Sequence, residues 1–190
     1  MADGGALTLA VLGGTGLSVL GYAGAVGVGL VFLGAGQAKL RHTDLLGGVI
    51  ANYRLLPTAL VAPVAAVLPW LELVVGIGLM IGTWLFAPVA IGLLVIFAAA
   101  MGINIVRGRR EIDCGCGRSD LRQPLSWLLV GRNLALAALL ALCLVFVPET
   151  GLAPMDRAVA YAGGIAVYLL YLLFNAIGAL AASPLAAQRR

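Results

Sequence analysis

Long apolar segments separated by short polar ones form the dominant pattern along this chain of 190 residues. Each apolar segment is close to the ~20 residues that cross a bilayer as a helix. We place five spans, at about residues 17–39, 58–82, 85–106, 125–147 and 157–182. Residues 1–16 are expected to form an interfacial or frayed lead-in, and residues 183–190 a basic tail. The pattern therefore predicts an all-α protein, a polytopic membrane helical bundle.

Composition supports this interpretation and excludes a water-soluble enzyme. The chain is 62% hydrophobic and only 11% charged, with a mean hydropathy of +1.07. A soluble domain carries about 25% charged residues, so this chain lacks the polar surface that water would require. The net charge of +4 comes with no basic helix and no aromatic platform, which argues against a nucleic-acid partner. The lipid bilayer is the partner that the composition implies.

The distribution of Lys and Arg predicts the orientation in the membrane. Ten of them fall on one side of the predicted spans, against Arg157 on the other, with Arg132 inside a span. Basic residues gather in cytoplasmic loops. We therefore expect a multi-pass protein of the cell membrane with its N-terminus outside and the loop after the third span and the C-terminus in the cytoplasm. The first residues lack a basic n-region, so we expect the first span to be an uncleaved anchor.

Two cysteines stand one residue apart in the polar loop between the third and fourth spans. A disulfide between Cys114 and Cys116 would close a small, strained ring, and strained disulfides are labile. Three nearby arginines would favour the thiolate: Arg109, Arg110 and Arg118. The adjacent Asp113 would oppose the thiolate and would instead take up or release a proton. These features predict thiol–disulfide exchange with a partner.

Two other interpretations of the cysteine pair stay open. The thiols could be ordinary reduced cysteines of a cytoplasmic loop. They could also be half of a zinc site, but zinc usually takes four ligands and His42 is the only histidine. Cys143 lies roughly 40 Å away along the fourth span, at ~1.5 Å per residue, and is interpreted as a small buried apolar residue. We expect no bound cofactor and no metal.

Polar residues inside the spans form a second candidate site. Glu72 lies near mid-membrane, where a carboxylate normally faces the bundle interior and has a partner. Arg132 is the expected counter-ion, and Asn104, Asn133 and Lys39 lie at a similar depth, so a polar cluster beneath the cysteine loop is predicted. It would serve either a function, such as small-molecule transport or scaffolding around Glu72, or the packing of the helices.

Small residues recur along the first span. Gly21, Ala25 and Gly29 are spaced every four residues, which gives a smooth ridge for close helix packing. Such a ridge permits oligomers without requiring them. Asn175, in the fifth span, is expected to form a structural hydrogen bond.

Several short motifs together resemble the MauE family of membrane proteins, itself similar to the wider DoxX-like group. The matching pieces, in order, are Gly36-Gln-Ala-Lys39, Tyr53-Arg-Leu-Leu-Pro57, Leu68-Pro-Trp-Leu-Glu72 with Gly76, Asn104-Ile-Val-Arg-Gly-Arg109, Asp113-Cys-Gly-Cys-Gly117, Ser126-Trp, and Arg132-Asn133. Family members often carry an aromatic residue after the second cysteine, whereas Gly117 follows Cys116 here.

The resemblance covers about residues 31–133 and implies a four-helix DoxX-like core, whereas the fifth, C-terminal span is predicted from the apolar pattern alone. The resemblance also implies a role in maturing methylamine dehydrogenase, whose small subunit is rich in disulfides, beside a thioredoxin-like partner. Disulfides of that enzyme form outside the cytoplasmic membrane, whereas the charge pattern places the cysteine loop inside. Transfer of reducing equivalents across the membrane, or exchange with a cytoplasmic thiol donor, would reconcile the two.

Overall fold

The computed structural model describes residues 3–112, 124–145 and 152–181, with side chains described from residue 16 to residue 178 within those ranges. Six helices lie in these parts of the chain: α1 Asp3–Arg41, α2 Thr43–Tyr53, α3 Thr58–Met80, α4 Phe86–Val106, α5 Trp127–Val145 and α6 Pro154–Ala181. Within the same ranges, all except α2 are long and apolar enough to cross a membrane, α1 from Gly16 onward. The predicted all-α, polytopic membrane bundle is confirmed.

The helix bounds differ from the sequence prediction at three places. Helix α1 begins at Asp3 and so runs through the stretch assigned to the lead-in. The connector before the second long span is itself a short helix, α2, which ends where Arg54 takes a left-handed conformation with φ 50°. Helix α6 begins at Pro154, earlier than expected, because proline suits the first turn, where its missing N–H has no helical partner.

Helix α1 lies at the centre of the bundle, in contact with α3, α5 and α6, while α4 packs against α5. It runs antiparallel to α3, since Gly29 faces Gly76 and Gly36 faces Pro69 farther along. Added Cβ atoms at Gly29 and Gly76 would lie 2.9 and 2.8 Å from each other's carbonyl oxygens. Gly29, one member of the small-residue ridge predicted on the first span, therefore packs within the chain, against α3.

Tyrosine hydroxyls close one end of the bundle. Tyr22 of α1 and Tyr161 of α6 each donate a 2.7 Å hydrogen bond to the Met80 carbonyl oxygen at the end of α3. Their rings meet edge to face, with centroids 5.8 Å apart. The next turn follows directly, with Gly82 at φ +81°, and it starts α4 on its way back across the bundle.

The opposite end of the bundle is basic. Helices α1 and α4 finish there and α3 begins there, as the antiparallel packing requires. The described cations at this end are Lys39, Arg41, Arg54, Arg107, Arg109 and Arg110. At the tyrosine end the described cation is Arg157, in the first turn of α6. The cysteine loop joins α4 to α5 at the basic end.

Candidate functional site

A buried ion pair joins the first two spans. The Lys39 ammonium group lies 2.8 Å from both carboxylate oxygens of Glu72. Glu72 is fully buried and Lys39 is 8% exposed, and the ammonium nitrogen lies 5.7 Å from the centroid of the Phe97 ring of α4. Close approach of the two helices at Gly36 and Pro69 brings the pair into contact, so each charge is neutralised away from water.

The expectation that Arg132 would be the counter-ion of Glu72 is wrong: Lys39 occupies that position. Arg132 instead points from α5 toward α6, where its Nη1 donates to the Asn175 Oδ1. Its guanidinium carbon lies 5.1 Å from the centroid of the Tyr171 ring. The cause is helix adjacency, because α1, which carries Lys39, packs along α3. Asn175 forms the structural hydrogen bond expected of it.

The side chains of the two buried asparagines form hydrogen bonds to backbone carbonyls of their own helices. Asn104 and Asn133 are 0% and 4% exposed. Their side-chain amides donate to the carbonyls one turn earlier, of Ala100 at 3.0 Å and Leu129 at 2.9 Å. Asn104 also accepts a 3.2 Å hydrogen bond from Arg109 Nη1 and, through its backbone carbonyl, a 2.9 Å bond from the Arg109 N–H. Asn104 thus holds the first part of the cysteine loop against α4.

The base of the cysteine loop is fixed on both sides. The Leu125 N–H donates a 2.9 Å hydrogen bond to the Arg110 carbonyl, which links the two arms of the loop. Ile112, the last described residue before the cysteines, packs against an apolar cluster that includes Met101 and the 2% exposed Leu125. The loop therefore leaves and re-enters the bundle at anchored points.

Asp113, Cys114 and Cys116 lie outside the described residues, so their role as an exchanging pair stays a prediction. Cys143, by contrast, is described: it is a free thiol, 4% exposed, and it faces Gly24 in the bundle interior. This confirms its interpretation as a small buried residue. In the described ranges, no three His, Cys, Asp or Glu side chains gather as metal ligands.

Comparison with known proteins decides the family. The family model described as "Methylamine utilisation protein MauE" matches residues 17–146, which is most of the chain. This chain belongs to the MauE family. No solved structure matches it.

Curated relatives from three bacteria are similar over most of their length. The methylamine utilization protein MauE of Paracoccus denitrificans is 42% identical, over 83% of this chain and 86% of its own. That of Methylorubrum extorquens is 47% identical over 75% and 78%, and that of Methylophilus methylotrophus 40% over 76% and 78%. The similarity therefore extends across most of the bundle.

The part that matches the MauE model contains every residue of both predicted sites. Lys39, Glu72, Asn104, Asn133 and Arg132 all fall within residues 17–146, as do the aspartate and cysteines of the loop. The partners of Arg132 on α6, Tyr171 and Asn175, fall outside that match.

Sequence reasoning missed the pairing of Lys39 with Glu72 and the aromatic contacts around the polar residues. One signal was present, because Lys39 is the only lysine of the chain and a long lysine stem can lie along apolar surface while its ammonium group reaches a polar partner. Phe97 and Tyr171 carried no such signal, since aromatic residues at helical spacing are equally typical of a core. The tyrosine end of this MauE-family bundle was also not predicted.

Proposed function

We propose that this MauE-family membrane protein carries out thiol–disulfide exchange in the maturation of a partner protein, with Cys114 and Cys116 as the exchanging pair. The supporting observation is the anchored base of the loop, where Ile112 packs against the core and the Leu125 N–H is hydrogen-bonded to the Arg110 carbonyl. A thiol pair that reacts with another protein needs access, while its attachment to the membrane scaffold must stay fixed. The anchors at Ile112 and Leu125 supply the fixed attachment, and we propose that the segment between them supplies the access.

The exchange proceeds through a mixed disulfide. A thiolate of a cytoplasmic dithiol donor attacks the Cys114–Cys116 disulfide, forms a bond to one sulfur and releases the other as a thiolate. The donor's second thiolate then breaks the mixed disulfide, so that the donor holds a disulfide and the pair is reduced by two electrons. A thioredoxin-like protein in its disulfide form accepts those electrons by the same steps in reverse. The direction is set by the relative reduction potentials.

Charged neighbours support this chemistry. Arg109 and Arg110 stand at the base of the loop, and cations favour the thiolate that attacks or leaves. Asn104 holds the guanidinium of Arg109, so that charge stays beside the loop. Asp113, next to the first cysteine in sequence, is assigned proton uptake and release.

The names of the relatives suggest the biological setting. They are methylamine utilization proteins, so we infer that the protein whose maturation this exchange serves is a disulfide-containing subunit of an amine dehydrogenase. That subunit acquires its disulfides outside the membrane, so it is reached through the thioredoxin-like protein and does not react with the loop directly. We further infer that the cysteine loop and the C-terminus face the cytoplasm and the N-terminus faces outward. The basic end of the bundle supports this orientation.

Serine substitutions test the exchange. Cys114→Ser and Cys116→Ser should each abolish disulfide formation in the small subunit of the amine dehydrogenase, because neither single thiol can form the pair. The measurement is a thiol-alkylation gel shift of that subunit in cells, with the membrane level of the variant protein measured in parallel. Cys143→Ser is the matched control, since that thiol is buried at the other end of α5, and it should leave the subunit mature. Normal maturation with Cys114→Ser would contradict the proposal.

A second candidate function is non-redox: a scaffold or small-molecule transporter built around Glu72. The observation in its favour is that Glu72 is fully buried between membrane-spanning helices, where carboxylates often mark transport pathways. Under this alternative, Glu72→Gln eliminates the activity and the cysteine variants do not. The double variant Lys39→Met/Glu72→Leu refines the test, because it removes both charges and leaves no unpaired one. Retained activity in the double variant would exclude the carboxylate as the functional group.

A further inference from the structure

An apolar groove opens on the outer surface of the bundle between α1, α3 and α6. Its volume is about 440 Å³, and its lining includes Leu30, Leu33 and Gly34 of α1, Leu73 of α3 and Tyr168 of α6. The absence of a side chain at Gly34 lets Tyr168 approach α1 closely, since an added Cβ would lie 2.9 Å from the Tyr168 hydroxyl oxygen. Helical spacing places two exposed residues, Ile77 and Leu172, one turn beyond Leu73 and Tyr168. The groove is therefore part of the apolar surface that faces the membrane.

The groove has the length of one lipid acyl chain. Along α1 its lining runs from Leu30 to Leu40, which is about 15 Å at ~1.5 Å per residue. The hydrocarbon core of a bilayer is ~30 Å thick, so the groove covers about one leaflet. An apolar groove of this kind, open to the bilayer, is filled by hydrocarbon because lipid tails are what surrounds it.

Polar and charged groups stand at the end of the groove that approaches the membrane surface. Gln37, which is exposed, lines the groove one turn before the end of α1. Arg41 follows at the last position of α1 and is exposed as well. The spacing of Leu30, Gly34, Gln37 and Arg41 puts all four on one face of the helix. Toward the membrane surface, the apolar lining of the groove is therefore followed by the Gln37 amide and then by the Arg41 guanidinium.

We infer that this groove is a binding site for an anionic phospholipid. One acyl chain lies between Leu33 and Leu73, the Gln37 amide meets the ester groups, and Arg41 contacts the anionic headgroup. The charge complementarity selects the lipid class, because basic residues near an anionic membrane surface contribute about 1 kcal/mol each. A zwitterionic lipid of the same chain length fills the apolar part of the groove without that contribution.

Native mass spectrometry of the detergent-purified full chain tests the headgroup preference. The protein is incubated with equal amounts of phosphatidylglycerol and phosphatidylcholine that carry the same acyl chains, and the ratio of the retained lipids is measured. The unaltered protein should retain more phosphatidylglycerol. Arg41→Gln should lower the ratio about fivefold, the factor that corresponds to ~1 kcal/mol for one basic side chain. Arg157→Gln, the same change at the exposed Arg157 of the opposite end, should leave the ratio unchanged.

A second variant tests the groove itself. Leu30→Trp places a larger side chain in the groove and should reduce retention of both lipids at an unchanged melting temperature. Equal retention of the two lipids by the unaltered protein would overturn the inference. An equal effect of Arg41→Gln and Arg157→Gln would also overturn it, because it would mean that the lipid responds to net charge and not to this site.

Discussion

At the scale of single residues, the Lys39–Glu72 pair is a contact on which both neighbouring helices depend. Removing two charges from water costs several kcal/mol per ion, and their attraction at 2.8 Å offsets this only while both are present. Each partner is therefore costly to remove alone. The Lys39 stem lies along apolar surface and its head meets both oxygens of the carboxylate, so the pair fits the bundle interior without exposure to lipid.

Removing one charge of this pair should destabilise the bundle more than removing both. Glu72→Gln leaves Lys39 buried and unpaired, and we expect a loss of about 3–5 kcal/mol in the free energy of unfolding. The double variant Lys39→Met/Glu72→Leu should lose much less, because no charge is left in the interior. Unfolding in mixed micelles with increasing sodium dodecyl sulfate, followed by circular dichroism, gives both values.

The control for this comparison is Asp44→Asn, which removes a carboxylate from an exposed position of α2 and should change the unfolding free energy little. Equal losses for the single and double variants would mean that an unpaired charge in the interior carries no penalty of its own.

Sequence reasoning at this scale found the polar residues but not their partners. Glu72, Arg132, Asn104, Asn133 and Lys39 all stand out, because a polar residue in an apolar span is conspicuous. Which residues form pairs depends on which helices are neighbours and on how each helix is rotated. The depth of a residue in its span, which is what the sequence gives, determines neither. The cysteine pair was identified by its spacing and stays a chemical prediction.

At the scale of elements, the glycine contact between α1 and α3 determines how closely these helices approach. The reciprocal approach of Gly29 and Gly76 to each other's carbonyl oxygen leaves no room for a side chain. The small-residue ridge predicted this closeness, because such ridges let backbones meet. It did not predict that α3 would be the partner, since a smooth ridge is complementary to any helix with a matching small residue.

A methyl group at this contact should separate the two helices. Gly29→Ala places a Cβ about 2.9 Å from a backbone oxygen, which only a backbone shift relieves, and we expect a loss of about 1–3 kcal/mol in the free energy of unfolding. Gly92→Ala is the matched control, because an added Cβ there meets nothing within 4 Å. The same titration in sodium dodecyl sulfate measures both variants. Equal stability of the two would show that the close contact is not required.

At the scale of the whole molecule, the two ends of the bundle differ in chemistry. One end is closed by tyrosines bonded to the Met80 carbonyl, and the other collects the cations and the anchored cysteine loop. Hydropathy was sufficient to find the five spans of the described chain, because their apolar runs are long and contain few charged residues. The short helix α2 escaped notice because its eleven residues are too few to produce a strong periodic signal.

Labelling with a membrane-impermeant maleimide tests the proposed orientation. A Cys114→Ser/Cys143→Ser variant retains Cys116 as its only thiol and cannot form the loop disulfide. Cys116 should stay unlabelled in intact spheroplasts and react in inside-out vesicles, since the loop is proposed to face the cytoplasm. The reverse pattern would place the loop and the basic end of the bundle outside.

The buried ion pair also bears on how the chain enters the membrane during synthesis. Span α3 by itself would carry an uncompensated carboxylate into the hydrocarbon, and such a segment inserts poorly. Helix α1 emerges first and places Lys39 near the end of the bundle at which α3 begins, 33 residues before Glu72. We expect α1 and α3 to enter the membrane together as a helical hairpin. The Lys39 charge that stabilises the folded bundle would then also be needed for the insertion of α3.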